Sequence, residues 1–559
     1  MKVLWQRITH AHPFMCAPRS SGSQGSVHFA RGLLFLLLIM GTVPVAQAQD
    51  LSDEVADLKS RLEVIERQNS ELRSTIMQRL PPPEPDGDRT WDASYSTHDT
   101  NLYSTVDEYL ARKYEEQELL QKEAEEAGHE VGSDLNMTAK WNHGLELSTK
   151  NKDFRVHVGG RSQFDTSWYS VDDNVQNNIN IPYQDGVDFR RARLRIDGTM
   201  YEVIDWAVEY DVVNAVRLRN AAGTDTSDVD VTAFTDVWWT VKELPVIGNL
   251  RIGNQKEQIG FEHIVSSRYQ PFIERSYNQD SFYGGLFNGF TPGIQAFNWA
   301  EDEMSTWAIG AFKPTDNVFA YNANDNDYAV TGRLSRLLWY CDDGTGLLHV
   351  GLSGRQFTTI GNRIRYRTRD AIRAGVASTW PIPADTGTLI GDDGQFINGE
   401  VAAVYGPWTF QAEYLLSYLD DAQLATAPPG PNVGTVNYHG GYVQLLYFLT
   451  GDHDTYNRRT GAFDRMIPRE NFFFVRSDSG PMLGRGAWQI GARYNYLDLN
   501  DNGINGGILH NTTAGLNWFW NPNMKVQFDY IATYRDAPLP GNAGDGWING
   551  WGIRVAHDF

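Results

Sequence analysis

The sequence predicts an all-β protein, an antiparallel transmembrane β-barrel of about 16 strands with an N-terminal helical coiled-coil extension. Three observations predict it. From Phe154 onward apolar and polar residues alternate with period two, the spacing at which a strand presents two different faces. The links between these segments are long and short in turn, as in bacterial barrels with long external loops and short periplasmic turns. Finally, a chain of 559 residues with 52 Gly, 17 Trp and 26 Tyr holds no run after residue 50 near the ~18 apolar residues of a membrane helix.

Residues 1–48 read as a secretory signal peptide. Arg31 precedes the apolar run 32–40, and Ala46-Gln47-Ala48 forms an A-x-A cleavage pattern, so the mature chain is expected to begin at Gln49. The long polar stretch ahead of the run leaves Met1 and Met15 both open as the start. Cys16 leaves with this segment and Cys341 stays, so neither an intrachain disulfide nor a cysteine metal site is expected.

Residues 49–80 read as a coiled coil. Leu51, Val55, Leu58, Leu62, Ile65, Asn69, Leu72 and Ile76 follow spacings of four and three, and Asn69 falls on an a position, where a buried amide sets register. A single amphipathic helix lying on the barrel is the alternative. Pro81-Pro82-Pro83-Glu84-Pro85 stops the helix. Residues 81–150 form an acidic linker with a second, solvated helix near 106–126. Over the whole chain 48 Lys and Arg face 70 Asp and Glu, a formal charge of −22. Such a balance points to no nucleic-acid partner.

The barrel is assigned to residues 151–559. Ala192, Leu194 and Ile196 alternate with Arg191, Arg193, Arg195 and Asp197. Trp206, Val208, Tyr210 and Val212 alternate with Asp205, Ala207, Glu209 and Asp211, and late in the chain Met524, Val526, Phe528 and Tyr530 alternate with Lys525, Gln527 and Asp529. A soluble sandwich would share this alternation, but the links favour a barrel: 256–292 and 357–395 are long, whereas Gly406-Pro407 and Asn521-Pro522 are tight. The link 450–485 is the exception, a basic segment where a tight turn is expected. The last strand ends on Phe559, the terminal aromatic usual in outer-membrane barrels, which places the protein in the bacterial outer membrane, among its lipids.

Several segments resemble the phosphate-selective porin O and P family. They are Gly159-Gly160-Arg161; Phe189-Arg190-Arg191-Ala192-Arg193-Leu194 with Gly198-Thr199; Gly253-Asn254-Gln255-Lys256-Glu257 with Ser266-Ser267-Arg268 and Glu274-Arg275; Tyr442-Val443-Gln444 with Tyr447-Phe448-Leu449-Thr450-Gly451; Ala492-Arg493-Tyr494; and Gly515-Leu516-Asn517-Trp518 with Asn521-Pro522-Asn523. They run in order across residues 150–559. The resemblance implies a sixteen-stranded homotrimeric porin, its lumen narrowed by infolded loops and lined with basic residues that select small anions, inorganic phosphate above all.

An anion path needs donors that replace hydration without trapping the ion, and the Arg fork suits oxyanions. Arg191, Arg193 and Arg195 share one strand face and must turn from lipid, where an Arg at mid-depth costs roughly 2–4 kcal/mol. They point into the pore or pair with Glu209 and Asp211 of the next strand. The link 256–292 carries Lys256, Arg268 and Arg275 among Glu257, Glu262 and Glu274, charges suited to a loop pinned in the lumen; an exposed loop is the alternative. Arg363, Arg365, Arg367, Arg369 and Arg373 sit at odd positions, where an extended backbone lines them up on one side, either in the pore or on a solvated outer loop.

Asp498-x-Asn500-x-Asn502-Gly503 opens like a calcium loop, but its twelfth position is Leu509, so no metal is assigned and a turn-rich external loop is expected. There is no HExxH, phosphate loop or GxSxG elbow, so neither an enzyme nor a cofactor is indicated. Two other functions fit the same residues: a general or sugar-type porin, and an envelope tether whose coiled coil reaches the peptidoglycan.

Overall fold

The computed structural model describes residues 130–559 apart from 220–224, 284–288, 316–322, 324–326, 342–343, 427, 478–479 and 538–543. The signal peptide and the coiled coil assigned to 1–80 lie outside the described residues.

Sixteen antiparallel strands form a closed ring. In chain order they are β1 (Arg155–Val171), β2 (Gly186–Met200), β3 (Ile204–Arg219), β4 (Asp225–Leu244), β5 (Gly248–Lys256), β6 (Phe290–Trp299), β7 (Ser305–Phe312) and β8 (Ala329–Tyr340). The second half comprises β9 (Gly346–Thr358), β10 (Asp393–Tyr405), β11 (Trp408–Leu419), β12 (Val436–Phe448), β13 (Ala487–Asp501), β14 (Ile504–Asn521), β15 (Met524–Asp536) and β16 (Gly546–Asp558). Each pairs with its sequence neighbours, and β16 closes on β1 with Gly552 opposite Ser167 and Trp551 opposite Trp168. Closure leaves no open edge along the ring, which is how strands satisfy their backbone groups in lipid. All sixteen segments expected from the alternation are strands here.

Side-chain parity follows the alternation. Val187, Phe189, Leu194, Ile196, Leu334, Leu352, Val443, Leu445, Phe528, Trp551 and Val555 are exposed on the outer wall. Gln163, Arg193, Glu209, Asn495, Asn511, Thr513, Gln527, Asp529 and Arg554 are buried on the inner one. One irregularity changes the lining of the lumen. The register shifts between Gln163 and Phe164, so that Gln163 faces Arg191 while Phe164 faces Phe189. The extra residue of this bulge is Arg190, and both Arg190 and Arg191 are buried.

Two boundaries differ from the sequence reading. The sheet starts earlier, because a hairpin of Met137–Trp141 and Leu145–Thr149 lies in the segment assigned to the linker, and Leu145 pairs with Val158 beside the barrel closure. The supposed external loop at 498–509 is mostly strand: β13 and β14 run on to a two-residue turn at Asn502 (φ 47) and Gly503 (φ 82). Positive φ at both positions is the hairpin geometry that Asn-Gly favours.

The pair Gly159-Gly160 has a steric reason. A Cβ on Gly160 would stand 2.5 Å from the Arg193 carbonyl oxygen, and one on Gly159 would stand 2.4 Å from the Phe559 carbonyl oxygen. Phe559 is held there by mutual backbone bonds, Gly160 N–H to Phe559 O at 2.7 Å and Phe559 N–H to Gly160 O at 3.2 Å.

The lipid-facing assignment has a direct consequence. Replacing the exposed Leu194 by Arg is expected to weaken folding into lipid vesicles by about 2–4 kcal/mol in a urea titration. A cost near zero would mean that this face does not meet lipid.

Candidate functional site

Three long links fold into the lumen and are fixed there by inner-wall side chains. Residues 257–289, between β5 and β6, hang from wall carboxylates. The Phe261 and Glu262 N–H groups donate to Glu413 at 2.8 and 2.7 Å, and the Ile273 N–H donates to Asp529 at 2.7 Å. Their carbonyls are held from the same wall, Gln270 O by Lys525 Nζ at 2.7 Å and Pro271 O by Asn517 at 2.8 Å. The loop is therefore a constriction and not an external segment.

Residues 359–392, between β9 and β10, pack against this first loop through ion pairs. Arg369 donates to Asp280 at 2.5 and 2.8 Å, and Arg373 donates to Asp280 at 3.0 Å and to Glu274 at 2.9 Å. Arg367 reaches Asp228 of β4 at 2.5 Å. The indole of Trp380 is 2% exposed and lies under three guanidinium groups, those of Arg190, Arg369 and Arg373, at 4.9, 5.2 and 5.5 Å. Tyr277 and Tyr183 both donate to Asp370 at 2.9 Å, which ties in the β1–β2 link.

The third link, 449–486, joins β12 to β13 and folds back into the other end of the barrel. Tyr456 Oη lies 2.7 Å from Nδ1 of His349 on the inner wall, and Arg333 donates to Gly461 O at 2.8 Å. Arg465 pairs with Asp558 at the end of β16.

Between the wall and the first loop lies a cavity of about 330 Å³. Nine cationic side chains line it (Arg161, Arg190, Arg191, Arg193, Arg195, Lys256, Arg268, Arg275 and Arg373) against four carboxylates, Glu209, Asp236, Glu274 and Asp280. Arg193 is divided between Asp211 at 2.7 Å and Glu209 at 3.0 Å; Arg195 between Asp236 at 2.9 Å and Asp197 at 3.0 Å. Arg191 donates to Gln163 at 2.8 Å and stands 3.7 Å from Glu274. Arg268 lies 3.4 Å from Asp558. Among the described residues Lys256 and Arg275 bond only backbone carbonyls: Lys256 to His263 O at 2.5 Å, Arg275 to Glu262 O at 3.1 Å and Val265 O at 2.6 Å. Burial brings the Arg275 guanidinium down to about 10, so it stays charged at neutral pH.

The sequence-predicted residues thus divide. Arg191, Arg193, Arg195, Lys256, Arg268 and Arg373 line this cavity. Arg363 and Arg365 line a separate one nearer the long-loop end, where Arg365 pairs with Asp385 at 2.8 Å. Arg367 and Arg369 are buried in ion pairs. The arginines of 363–373 therefore do not form the single extended row the spacing suggested. The backbone is strand only at Arg363–Ile364 and Arg367–Thr368, and carboxylates of β4, of the first infolded loop and of Asp385 within the same link draw the side chains apart. Arg161 and Arg190 were missed as site residues, and Arg275 was read as part of the pinned loop without being assigned to the anion path. Arg161 stood in the Gly-Gly-Arg motif, and Arg275 stood beside Glu274 in the loop. Arg190 stood in the Phe189-Arg190-Arg191 motif, but the alternation gave no sign that it faces inward, because a bulge reverses parity locally.

The sequence profile described as "Phosphate-selective porin O and P" matches residues 156–545. "Porin O" of Pseudomonas aeruginosa is 24% identical over 78% of this chain and 95% of its own length. An uncharacterized protein of Caulobacter vibrioides is 27% identical over 67% of this chain and 68% of its own. Among solved structures, OmpF of Salmonella typhi aligns with a TM-score of 0.43 at 12% identity, covering 76% of this chain and all of that one. An anion-selective porin from Comamonas acidovorans aligns at 0.40 and 9% identity, covering 73% of this chain and all of that one.

The ion pairs between the two infolded loops set a pH window. Burial alone would raise Glu274, but Arg190, Arg373, Arg191 and Arg554 outweigh it and hold the carboxyl well below its ordinary value. Burial of Asp280 is likewise outweighed by Arg369 and Arg373. A depressed carboxyl contributes stability above its unfolded pKa and loses it only as pH falls through the folded one. The difference in single-channel conductance between the wild type and Glu274→Gln is therefore expected to stay constant from pH 7 down to about 4, the range where free carboxylates begin to protonate, and to shrink only below it. A change already complete by pH 5 would show that these pairs do not hold the loops.

Proposed function

The chain belongs to the phosphate-selective porin O and P family, and from that premise we propose that it forms an anion-selective diffusion channel with inorganic phosphate as the preferred solute. In its coarser identity the chain is a non-enzymatic porin of the bacterial outer membrane.

The observation that carries the proposal is the excess of nine cationic over four anionic side chains around the cavity at the infolded loops. The pairing there is uneven. Arg193 and Arg195 are largely neutralised by their carboxylates and serve to fix the wall. Lys256 and Arg275, held by backbone carbonyls, have no described carboxylate bonded to them and are left to a visitor. An oxyanion entering here exchanges water for several N–H donors at once. Lys256, Arg268 and Arg195 also line the wider cavity of about 1070 Å³ toward the short-turn end, so the ion passes on without leaving the basic surface. Arg363 and Arg365 stand nearer the entrance, while Arg367, Arg369 and Arg373 hold the loop in place through their ion pairs. We further infer a homotrimer from the family, with residues 49–80 as a coiled coil that joins the three chains and extends toward peptidoglycan.

The test is phosphate block of chloride current in planar bilayers. Replacing Lys256 and Arg275 together by Gln is expected to raise the half-blocking phosphate concentration at least about tenfold, since a hydrogen bond to a charged group contributes about 1.5–3 kcal/mol. An unchanged block would remove these two residues, and this cavity, from the anion path.

A further inference from the structure

Beyond the basic cavity, on the side of the long loops, lies a second chamber of about 130 Å³ with a different lining. Its walls are rings, among them Phe282, Phe357 and Phe396, which are 9, 6 and 2% exposed. Phe290 lines both chambers, so the two are neighbours along one route. The volume is roughly ten times the 10–15 Å³ that one water needs.

Its polar groups differ in state. Arg355 is already satisfied, held by Glu257 at 2.8 and 3.0 Å. Arg363 is half-buried at the rim and forms no ion pair with the described residues. Deeper in, His263 Nε2, Ser281 Oγ and Tyr283 Oη are buried and have no hydrogen-bond partner among the described residues. The state of His263 is set by its neighbour. Its Nδ1–H donates to Gln279 Oε1 at 2.9 Å, so Nε2 carries the lone pair and accepts. Each such orphan is unfavourable where nothing bonds it. Three of them around one ring-walled space mark it as a place for a polar substituent, and a turn of Ser281 about χ1 presents its hydroxyl.

We propose that this chamber binds a small aromatic acid bearing a ring hydroxyl, of the hydroxybenzoate type. The carboxylate pairs with Arg363 at the rim, the ring packs on the wall that Phe282, Phe357 and Phe396 present to the chamber, and the hydroxyl donates to His263 Nε2 and accepts from Ser281. An inorganic anion leaves the rings and the orphans unused; an apolar ring without a hydroxyl leaves the orphans unpaired. A chamber that joins ring walls to convergent polar groups can hold a small molecule in one orientation.

The experiment measures block of chloride current by 4-hydroxybenzoate, benzoate and phosphate on the full-length protein. 4-Hydroxybenzoate is expected to block at about tenfold lower concentration than benzoate, because a site built for a hydroxyl discriminates against the analogue lacking it. Ser281→Ala is expected to reduce that advantage to about threefold, the His263 contact remaining, while phosphate block stays within about twofold; Tyr283→Phe, which deletes an orphan without changing shape, is expected to leave phosphate block within about twofold as well. Arg363→Gln should weaken block by both aromatic acids. Equal block by the two acids in the wild type overturns the proposal, as does an advantage left at its full size in Ser281→Ala. If all three blockers shift together in Ser281→Ala, the loop has moved and the site is not the cause, which also overturns it. Absence of phosphate block in the wild type would contradict the phosphate preference and leave this comparison intact.

Discussion

The lumen depends on the pairing of Glu274 with the arginines around it. Its two oxygens meet Arg190 at 2.8 Å, Arg373 at 2.9 Å and Arg554 at 3.1 Å, groups that come from β2, the 359–392 link and β16. One carboxylate on the first infolded loop thereby connects the wall on both sides of the barrel closure to the second loop. Asp280 repeats the arrangement with Arg369 and Arg373. Buried pairs of this kind contribute little net stability relative to an apolar core, but losing one member leaves a charge uncompensated at about 3–5 kcal/mol. Their effect is to fix geometry: they join the two infolded loops to each other and to the wall across the bore.

The same pairing explains how an acidic protein builds a basic pore. The chain carries −22 overall, yet the carboxylates in the lumen are placed against particular guanidinium groups and neutralised there. The residues that hold their loops by backbone carbonyls, Lys256 and Arg275, remain uncompensated among the described residues. Charges farther away than a Debye length of about 8–10 Å contribute little to what an ion meets in the constriction. On the proposed reading selectivity is a local property of a few side chains, and the sum over the sequence says little about it.

How much of this was legible depends on the range of each interaction. Strand parity is a local pattern, so Leu194 outward and Arg193 inward could be read directly, and so could all sixteen segments. The bulge at Arg190 could not, since one inserted residue in an otherwise regular alternation has no signature of its own. The hairpin at 137–149 was hidden by strands of five residues each, too short for alternation to stand out. At Asn502-Gly503 the turn signal was present but does not by itself separate a tight hairpin from a loop, because Asp, Asn and Gly cluster in both. In the segment 363–373 the positive charge was evident and its consequence was not: Asp228, Glu274 and Asp280, which pull the side chains apart, lie about a hundred residues away in sequence.

The central claim, that local basic side chains and not overall charge decide what passes, is tested most directly by the zero-current potential of the wild-type protein in a planar bilayer under a steep KCl gradient. The lining of the constriction predicts a potential of the sign set by chloride, with the anion clearly more permeant. A potential of the opposite sign, the one the acidic chain as a whole would suggest, would contradict the account.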